Sequence, residues 1–332
     1  MTDVTYLSQP ALEDLATPGD FVAAVREAYR QRGEGAPSRP RTTLRSSDPG
    51  GMLTGYLAIL PETGYMGGYT YAAGFEAKDA WFLTPLFDAS TGELVAILDG
   101  AWFNPFKTGA SGAVGVDALA REDARILAVF GSGAQARGQV LATDTVRDFS
   151  EVRVYSPTVD HRRDFATDIN DRIDPTVVAV DSPAEAVTDA DVVVTATRAS
   201  EPVFAGEDLS DGAHVTAMGQ YDPDRREIDS TTVARSIYVP DLRDRAFQDA
   251  GAFLQALDDG SIDEGHIHAE LGEVVAGTRP GRSAPTDVTV FDSGGTAIET
   301  VGAAAMLYER AIERGRGQSL TVSPASEAFP GS

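Results

Sequence analysis

The sequence predicts an α/β fold: a doubly wound parallel sheet joined to a discontinuous second domain of α+β type. Three observations carry this expectation. Between about residues 121 and 295, short apolar runs alternate with helical patterns, the signature of a parallel sheet covered on both faces. One of those runs, Leu127-Ala128-Val129-Phe130, leads directly into Gly131-Ser132-Gly133-Ala134-Gln135-Ala136, a G-x-G-x-x-A turn opening a helix. Residues 1–120 lack the alternation, and a long apolar helical pattern near the C-terminus reads as packing back onto them. The expected division is therefore 1–120 with 296–332, and 121–295.

In chain order, the first region opens with an amphipathic helix after Asp20, placing Phe21, Val22, Val25, Ala28 and Tyr29 on one face. Extended segments follow at Leu53–Leu60, Tyr65–Tyr71, Ala80–Phe87 and Leu94–Leu98, with Asp88-Ala89-Ser90-Thr91-Gly92 as a turn. A helix over Thr108–Leu119 leads into the second region. There the predicted strands are Ile126–Phe130, Val152–Tyr155, Val177–Val180, Val192–Thr195, His214–Met218 and Ile237–Val239. Helices are expected after Gly133, over Arg162–Ile173, and from Ser182-Pro183, where a cap precedes a first-turn proline. Val288–Phe291 reads as one more strand, Gly294-Gly295 opens a helix running through Ala311, and residues after about 318 read as a loose tail.

This is the pattern of a Rossmann-type dinucleotide site. Gly131 permits the tight turn, Gly133 leaves room for a pyrophosphate, and Ala136 lets helix pack on strand. The phosphates would meet the helix N-terminus at Gly131, Ser132, Gly133, Ala134 and Gln135. The second strand of such a site commonly ends in an acidic residue that binds the ribose hydroxyls. Here it ends Ser156-Pro157-Thr158, with Arg162 and Arg163 close behind. Hydroxyls from Ser156 and Thr158 plus Arg162 suit a 2'-phosphate, so NADP is preferred over NAD.

Composition narrows the partners. The chain has 332 residues, 51 acidic against 27 basic, for a formal net charge of -24, and its only lysines are Lys78 and Lys107. Such a charge argues against nucleic acid and anionic membranes as partners. It fits a halophilic protein whose self-repulsion is screened by molar salt. With no cysteine, disulfides and thiolate metal sites are excluded. No signal-peptide pattern opens the chain and no apolar run reaches membrane-span length, so a cytoplasmic location is expected. His266-Ile267-His268 lies near several carboxylates but lacks the spacing of a metal site, and no metal is expected.

Several separated motifs resemble the ornithine cyclodeaminase/mu-crystallin family, which also includes an archaeal type of alanine dehydrogenase. They are Leu86 through Leu94, Lys107-Thr108-Gly109-Ala110, Phe130 through Gln135, Thr195-Ala196-Thr197, Arg226-Glu227-Ile228-Asp229 and Thr289 through Gly295. The resemblance implies a homodimer built through the first region and a nicotinamide cofactor held between two domains. It also implies cofactor contacts from Thr195, Ala196, Thr197, Gly219, Ser293 and Gly294, the N–H groups of the Ser293 turn facing nicotinamide or substrate. Arg41 would hold a substrate carboxylate, and Lys107 stands where a second arginine is usual. Tyr69 occupies the place of the family's early lysine, and Tyr221 that of the cyclodeaminases' aspartate, with Asp222 beside it.

Tyrosine is a poor base at neutral pH. The implied activity is accordingly hydride transfer on a small amino acid, its imine or its 2-oxo acid, with Tyr69 or Tyr221 as proton donor. The alternatives are ornithine cyclodeamination and cofactor binding without turnover.

Overall fold

The computed structural model describes residues 2–77 and 79–327, arranged around two seven-stranded sheets. The first region contains β1 (Thr2–Leu7), α1 (Gln9–Leu12), α2 (Pro18–Gly33), β2 (Thr42–Ser47), β3 (Gly50–Leu60), β4 (Tyr65–Gly74), β5 (Asp79–Asp88), β6 (Leu94–Asp99) and α3 (Gly100–Leu119). The second continues with β7 (Ile126–Phe130), α4 (Ala134–Thr143), β8 (Glu151–Tyr155), α5 (Val159–Asn170), β9 (Thr176–Ala179), α6 (Pro183–Val187) and β10 (Val192–Thr195). After these come β11 (His214–Ala217), α7 (Ser230–Ala234), β12 (Ser236–Pro240), α8 (Arg243–Asp249), α9 (Gly251–Asp258), α10 (Leu271–Val275) and β13 (Val288–Asp292). The chain then returns to the first sheet through α11 (Ala297–Glu313) and β14 (Gln318–Val322).

The second sheet is parallel throughout, in the order β12-β13-β11-β10-β7-β8-β9. Its order reverses between β7 and β10, the switch point beyond whose carboxyl ends doubly wound sheets bind ligands. The fold class is as predicted. The first sheet runs β14-β1-β6-β5-β4-β3-β2, antiparallel except for the β1–β6 pair. Along β3, Thr54, Tyr56, Ala58 and Leu60 are buried while Leu53, Leu57 and Ile59 are exposed, the period-two pattern of a sheet covered on one face. The covering layer is helical. α2 is fixed at its start by a capping box between Thr17 and Asp20 and buries Phe21, Val25, Ala28 and Tyr29. α11 has the same device at Thr296 and Glu299 and packs on α2, α3, β3 and β4.

Three expectations need correction. Residues after 318 are not a loose tail: β14 pairs antiparallel with β1, and the expectation on 328–332 lies outside the described residues. β14, β1 and β2 escape pattern reading because β14 and β2 face mainly solvent and a short edge strand is held by backbone pairing. α3 begins at Gly100, capped by Asp99, and carries Pro105 within its second turn. α11 begins after Thr296 rather than at Gly294-Gly295, leaving those glycines as an irregular turn.

Candidate active site

A cavity of about 420 Å³ lies at the carboxyl ends of β7 and β10, against the inner face of β3 and β4. On its nucleotide side it is lined by Gly133, Ala134, Gln135, Ala196, Thr197 and Gly219. On its other side stand Arg41, Tyr69, Lys107, Tyr221, Ser293 and Gly294, so both halves of the expected constellation meet in one cleft. Gly131, Ser132, Ser156, Thr158, Arg162 and Thr195 stand outside the lining.

The nucleotide side fits a dinucleotide pyrophosphate. Gly131 has φ +112°, and a Cβ there would overlap the Ala196 carbonyl. A Cβ on Gly133 would meet nothing within 4 Å, so this glycine keeps open the space over the helix start. No side chain caps α4, which leaves its first N–H groups for a phosphate. Gln135 Oε1 and Ser293 Oγ are buried without hydrogen-bond partners and line the cleft, as groups awaiting a ligand do.

One carboxylate organises the rim. Glu227, 3% exposed, accepts from Thr195 Oγ1 (2.9 Å), Thr197 N–H (2.6 Å) and Gly219 N–H (2.6 Å). It ties the ends of β10 and β11 together, while burial pushes its own pKa up against those hydrogen bonds. Thr195 is therefore a support rather than a lining residue. Ser132 Oγ donates to Ser156 Oγ at 3.1 Å, joining the glycine turn to the end of β8, and Ser156 donates on to the Thr158 carbonyl. Arg162 departs from expectation. Its guanidinium is buried, donating to the Ser156 carbonyl (3.0 Å) and Asp181 (2.7 Å), so it fixes the β8 end instead of standing free for a 2'-phosphate.

On the opposite side, Arg41 is 5% exposed. Its Nη2 donates to the carbonyls of Gly294 and Gly295, Nε lies 3.5 Å from Asp249, and the guanidinium lies over the Tyr221 ring at 4.5 Å. Burial opposes its charge, but Asp249 and the neighbouring tyrosine hydroxyls more than compensate and raise its pKa. Nη1 makes none of these bonds, leaving a fixed cation with a free edge, which suits a carboxylate. Lys107 is equally buried, 3.3 Å from Glu299 and 5.0 Å from the centroid of the Tyr69 ring. Burial lowers its pKa; Glu299 opposes that shift, and Arg41 reinforces it.

Tyr69 forms the floor, stacked on Phe82 and tilted against Tyr56 and Tyr71. Its hydroxyl is buried with no partner, and burial holds its pKa well above the usual value. The Ser293 turn behaves differently from expectation: Ser293 N–H donates to the Ala217 carbonyl and Gly295 N–H to Asp241, so neither faces the cleft. Beneath it Arg245 is wholly buried and bonds Asp241 (2.7 Å) and Asp292 (2.8 Å), with Asp249 3.6 Å away.

Sequence reasoning missed Tyr56, Tyr71, Phe82, Arg198 and the buried acids Glu299 and Asp249. The tyrosines carried a signal: Tyr69 and Tyr71 are two apart in β4 and share a face, opposite Tyr56 and Thr54 of β3. The histidines near 266 hold backbone, His266 Nε2 facing the Val233 carbonyl at 2.7 Å and His268 Nε2 the Pro280 carbonyl at 2.8 Å. Among the described residues no helix is long and apolar enough to cross a membrane.

Residues 7–315 match the model of the ornithine cyclodeaminase/mu-crystallin family. The chain is 35% identical over 236 residues to a Delta(1)-pyrroline-2-carboxylate reductase of Bacillus cereus, covering 71% of this chain and 72% of that one. Among solved structures, the Delta(1)-pyrroline-2-carboxylate reductase of Thermococcus litoralis in complex with NADH and L-proline superposes with TM-score 0.91 at 31% identity, over 96% of this chain and 100% of the other. An archaeal alanine dehydrogenase dimer with bound NAD gives 0.90 at 28% identity, over 96% and 99%.

Proposed function

The chain belongs to the ornithine cyclodeaminase/mu-crystallin family, and from that premise we propose that it is a nicotinamide-dependent reductase of small cyclic 2-imino acids. One observation carries the choice of substrate. Among the described residues the cleft lining includes Arg41, Lys107 and Arg198 but no carboxylate. A substrate with one carboxylate is matched there; a diamino acid such as ornithine would bring a second ammonium that no lining carboxylate meets, Glu299 and Asp249 already standing beside Lys107 and Arg41. The aromatic floor of Tyr56, Tyr69, Tyr71 and Phe82 suits a flat five- or six-membered ring. The names of the relatives point the same way.

In this reading the bound dinucleotide supplies a hydride. Arg41 holds the carboxylate, Lys107 adds a second positive charge, and the tyrosine floor excludes water. Residues 121–295 hold the nucleotide, and 1–120 with 296–332 hold the substrate. NADPH is the preferred reductant. Ser156-Pro157-Thr158 offers no carboxylate to a ribose diol, and with Arg162 tied down the exposed Arg163 is the cation left for a 2'-phosphate. The enzyme works as a homodimer in a salt-rich cytoplasm. The dimer reading rests on the exposed apolar face of the first sheet, the salt reading on the net charge of -24, and the location on the supply of reduced nicotinamide.

The test is NADPH and NADH oxidation in molar potassium chloride with five- and six-membered cyclic 2-imino acids, with 2-oxo acids plus ammonia, and with ornithine. Stoichiometric cofactor consumption with the cyclic imines is expected. Ammonia release from ornithine without net cofactor consumption would establish a cyclodeaminase instead, and cofactor binding with no turnover would leave a binding protein.

A further inference from the structure

Reduction of a carbon–nitrogen double bond leaves one proton to be delivered to nitrogen, and the cleft offers few groups able to deliver it. Arginine does not give up a proton in a protein, which sets aside Arg41 and Arg198. The Arg41 guanidinium lies over the Tyr221 ring at 4.5 Å, which places Tyr221 with the carboxylate anchor. Tyr56 and Tyr69 keep their protons because burial holds both hydroxyls well above their ordinary pKa, and Tyr71 is pushed up to about 12. Lys107 remains. Its Nζ stands over Tyr69, whose ring centroid is 5.5 Å from that of Tyr56, and Tyr56 in turn lies under Arg41. The two cations thus occupy neighbouring rings of one floor. In a 2-imino acid the carboxylate and the nitrogen hang from the same carbon, so a carboxylate on Arg41 brings the nitrogen toward Lys107.

We propose that Lys107 is the proton donor to the substrate nitrogen, with Glu299 as the residue that positions its ammonium group. This assignment rests on the reductase reading and replaces the tyrosines as donors. In the step, the imine carbon takes a hydride with its electron pair from the reduced nicotinamide, which is thereby oxidised. The π pair of the double bond moves to nitrogen, which takes a proton from Nζ, and a carbon–nitrogen single bond remains. Lys107 is left as the neutral amine and is recharged from water. The groups that set its proton affinity come from four directions: Glu299 on α11, Arg41 ahead of β2, Asp241 after β12 and the Tyr69 ring on β4.

The chain suits a direct test because Lys78 and Lys107 are its only lysines. Protein labelled with 13C at the lysine ε-carbon gives two side-chain resonances, and K78R identifies the one from Lys107. Its titration midpoint is expected below that of Lys78, and E299Q, which removes the counter-charge, is expected to lower it further. The basic limb of the kcat profile should move to lower pH in the same variant. K107R keeps the charge but cannot donate at neutral pH. It should bind pyrrole-2-carboxylate, a flat unreactive carboxylate, within about threefold of wild type while kcat falls by ~100-fold or more.

A K107R enzyme with kcat within a few-fold of wild type overturns the proposal, as does a Lys107 resonance that titrates with Lys78 and ignores E299Q. Those results leave the reductase reading intact. A wild-type protein with no turnover of any imino acid overturns both.

Discussion

Arg41 is the residue on which the proposed substrate recognition turns. Its backbone-anchored, ring-stacked guanidinium has one edge free, so Arg41→Ala removes the partner of a desolvated carboxylate, a loss of about 2–5 kcal/mol. KM for imino acid should rise at least ~30-fold while the KM for cofactor stays near wild type; equal changes in both would contradict the assignment. Gly133 gives a complementary test. A Cβ there touches no protein atom, so Gly133→Val should melt near the wild-type temperature yet lose NADPH binding in a fluorescence titration. Retained binding would show that the pyrophosphate lies elsewhere. Both residues were legible in the sequence, one through a glycine motif whose spacing is the chemistry, the other through a proline-flanked arginine in a family pattern. Glu227 and Glu299 were not legible as site residues. Glu227 acts on groups 8 to 32 residues away and Glu299 on a lysine 192 residues distant, while Thr296-x-x-Glu299 reads locally as a helix cap.

Individual elements carry their own demands. β11 buries His214 completely, with Nδ1 2.9 Å from Thr289 Oγ1 of β13 and Nε2 3.0 Å from Thr216 Oγ1. A neutral imidazole satisfies both hydroxyls, one ring nitrogen donating and the other accepting. Burial, reinforced by Arg282 and Arg147, lowers its pKa from 6.5 to about 3. As pH falls below 6.5 the unfolded chain takes up a proton that the native state refuses, so stability is lost progressively until pH reaches about 3. The loss from this group is ~2 kcal/mol by pH 5. Urea midpoints at pH 7 and pH 5 should therefore fall further for wild type than for His214→Asn; parallel losses would contradict the assignment. The parallel strands were readable because burial on both faces makes them continuous apolar runs. β1 and β14 were not, since backbone pairing across nearly the whole chain length leaves no local period, as Thr2 opposite Val322 illustrates, and β2 was not because it pairs with neighbouring β3 as an exposed edge strand. The glycine turn before α11 was misread for a related reason: its N–H groups satisfy Asp241 and β11, partners that no local pattern announces.

Taken whole, the molecule exposes an apolar sheet face on a strongly acidic chain. Leu44, Leu53, Leu57, Trp81 and Leu83 are exposed on the outer side of β2, β3 and β5, with Trp81 at 70% and Leu57 at 67%. A patch of that kind marks an association surface. The double substitution Leu57→Glu with Trp81→Glu should convert a dimer to a monomer in light scattering; an unchanged mass would move the interface elsewhere. The net charge of -24 gives a second expectation. Far-UV circular dichroism should be retained in molar salt, where the screening length is about 3 Å, and lost as salt is removed. Full ellipticity at low salt would contradict the halophilic reading.

In the proposed function, the cleft reduces a cyclic imine bearing a carboxylate and has no place for a second ammonium. The most direct measurement follows NADPH absorbance and ammonia together, in molar potassium chloride, with a five-membered cyclic 2-imino acid in one cell and ornithine in the other. One cofactor oxidised per imine reduced is expected, with neither cofactor loss nor ammonia from ornithine. Ammonia release from ornithine with the cofactor level unchanged would contradict it.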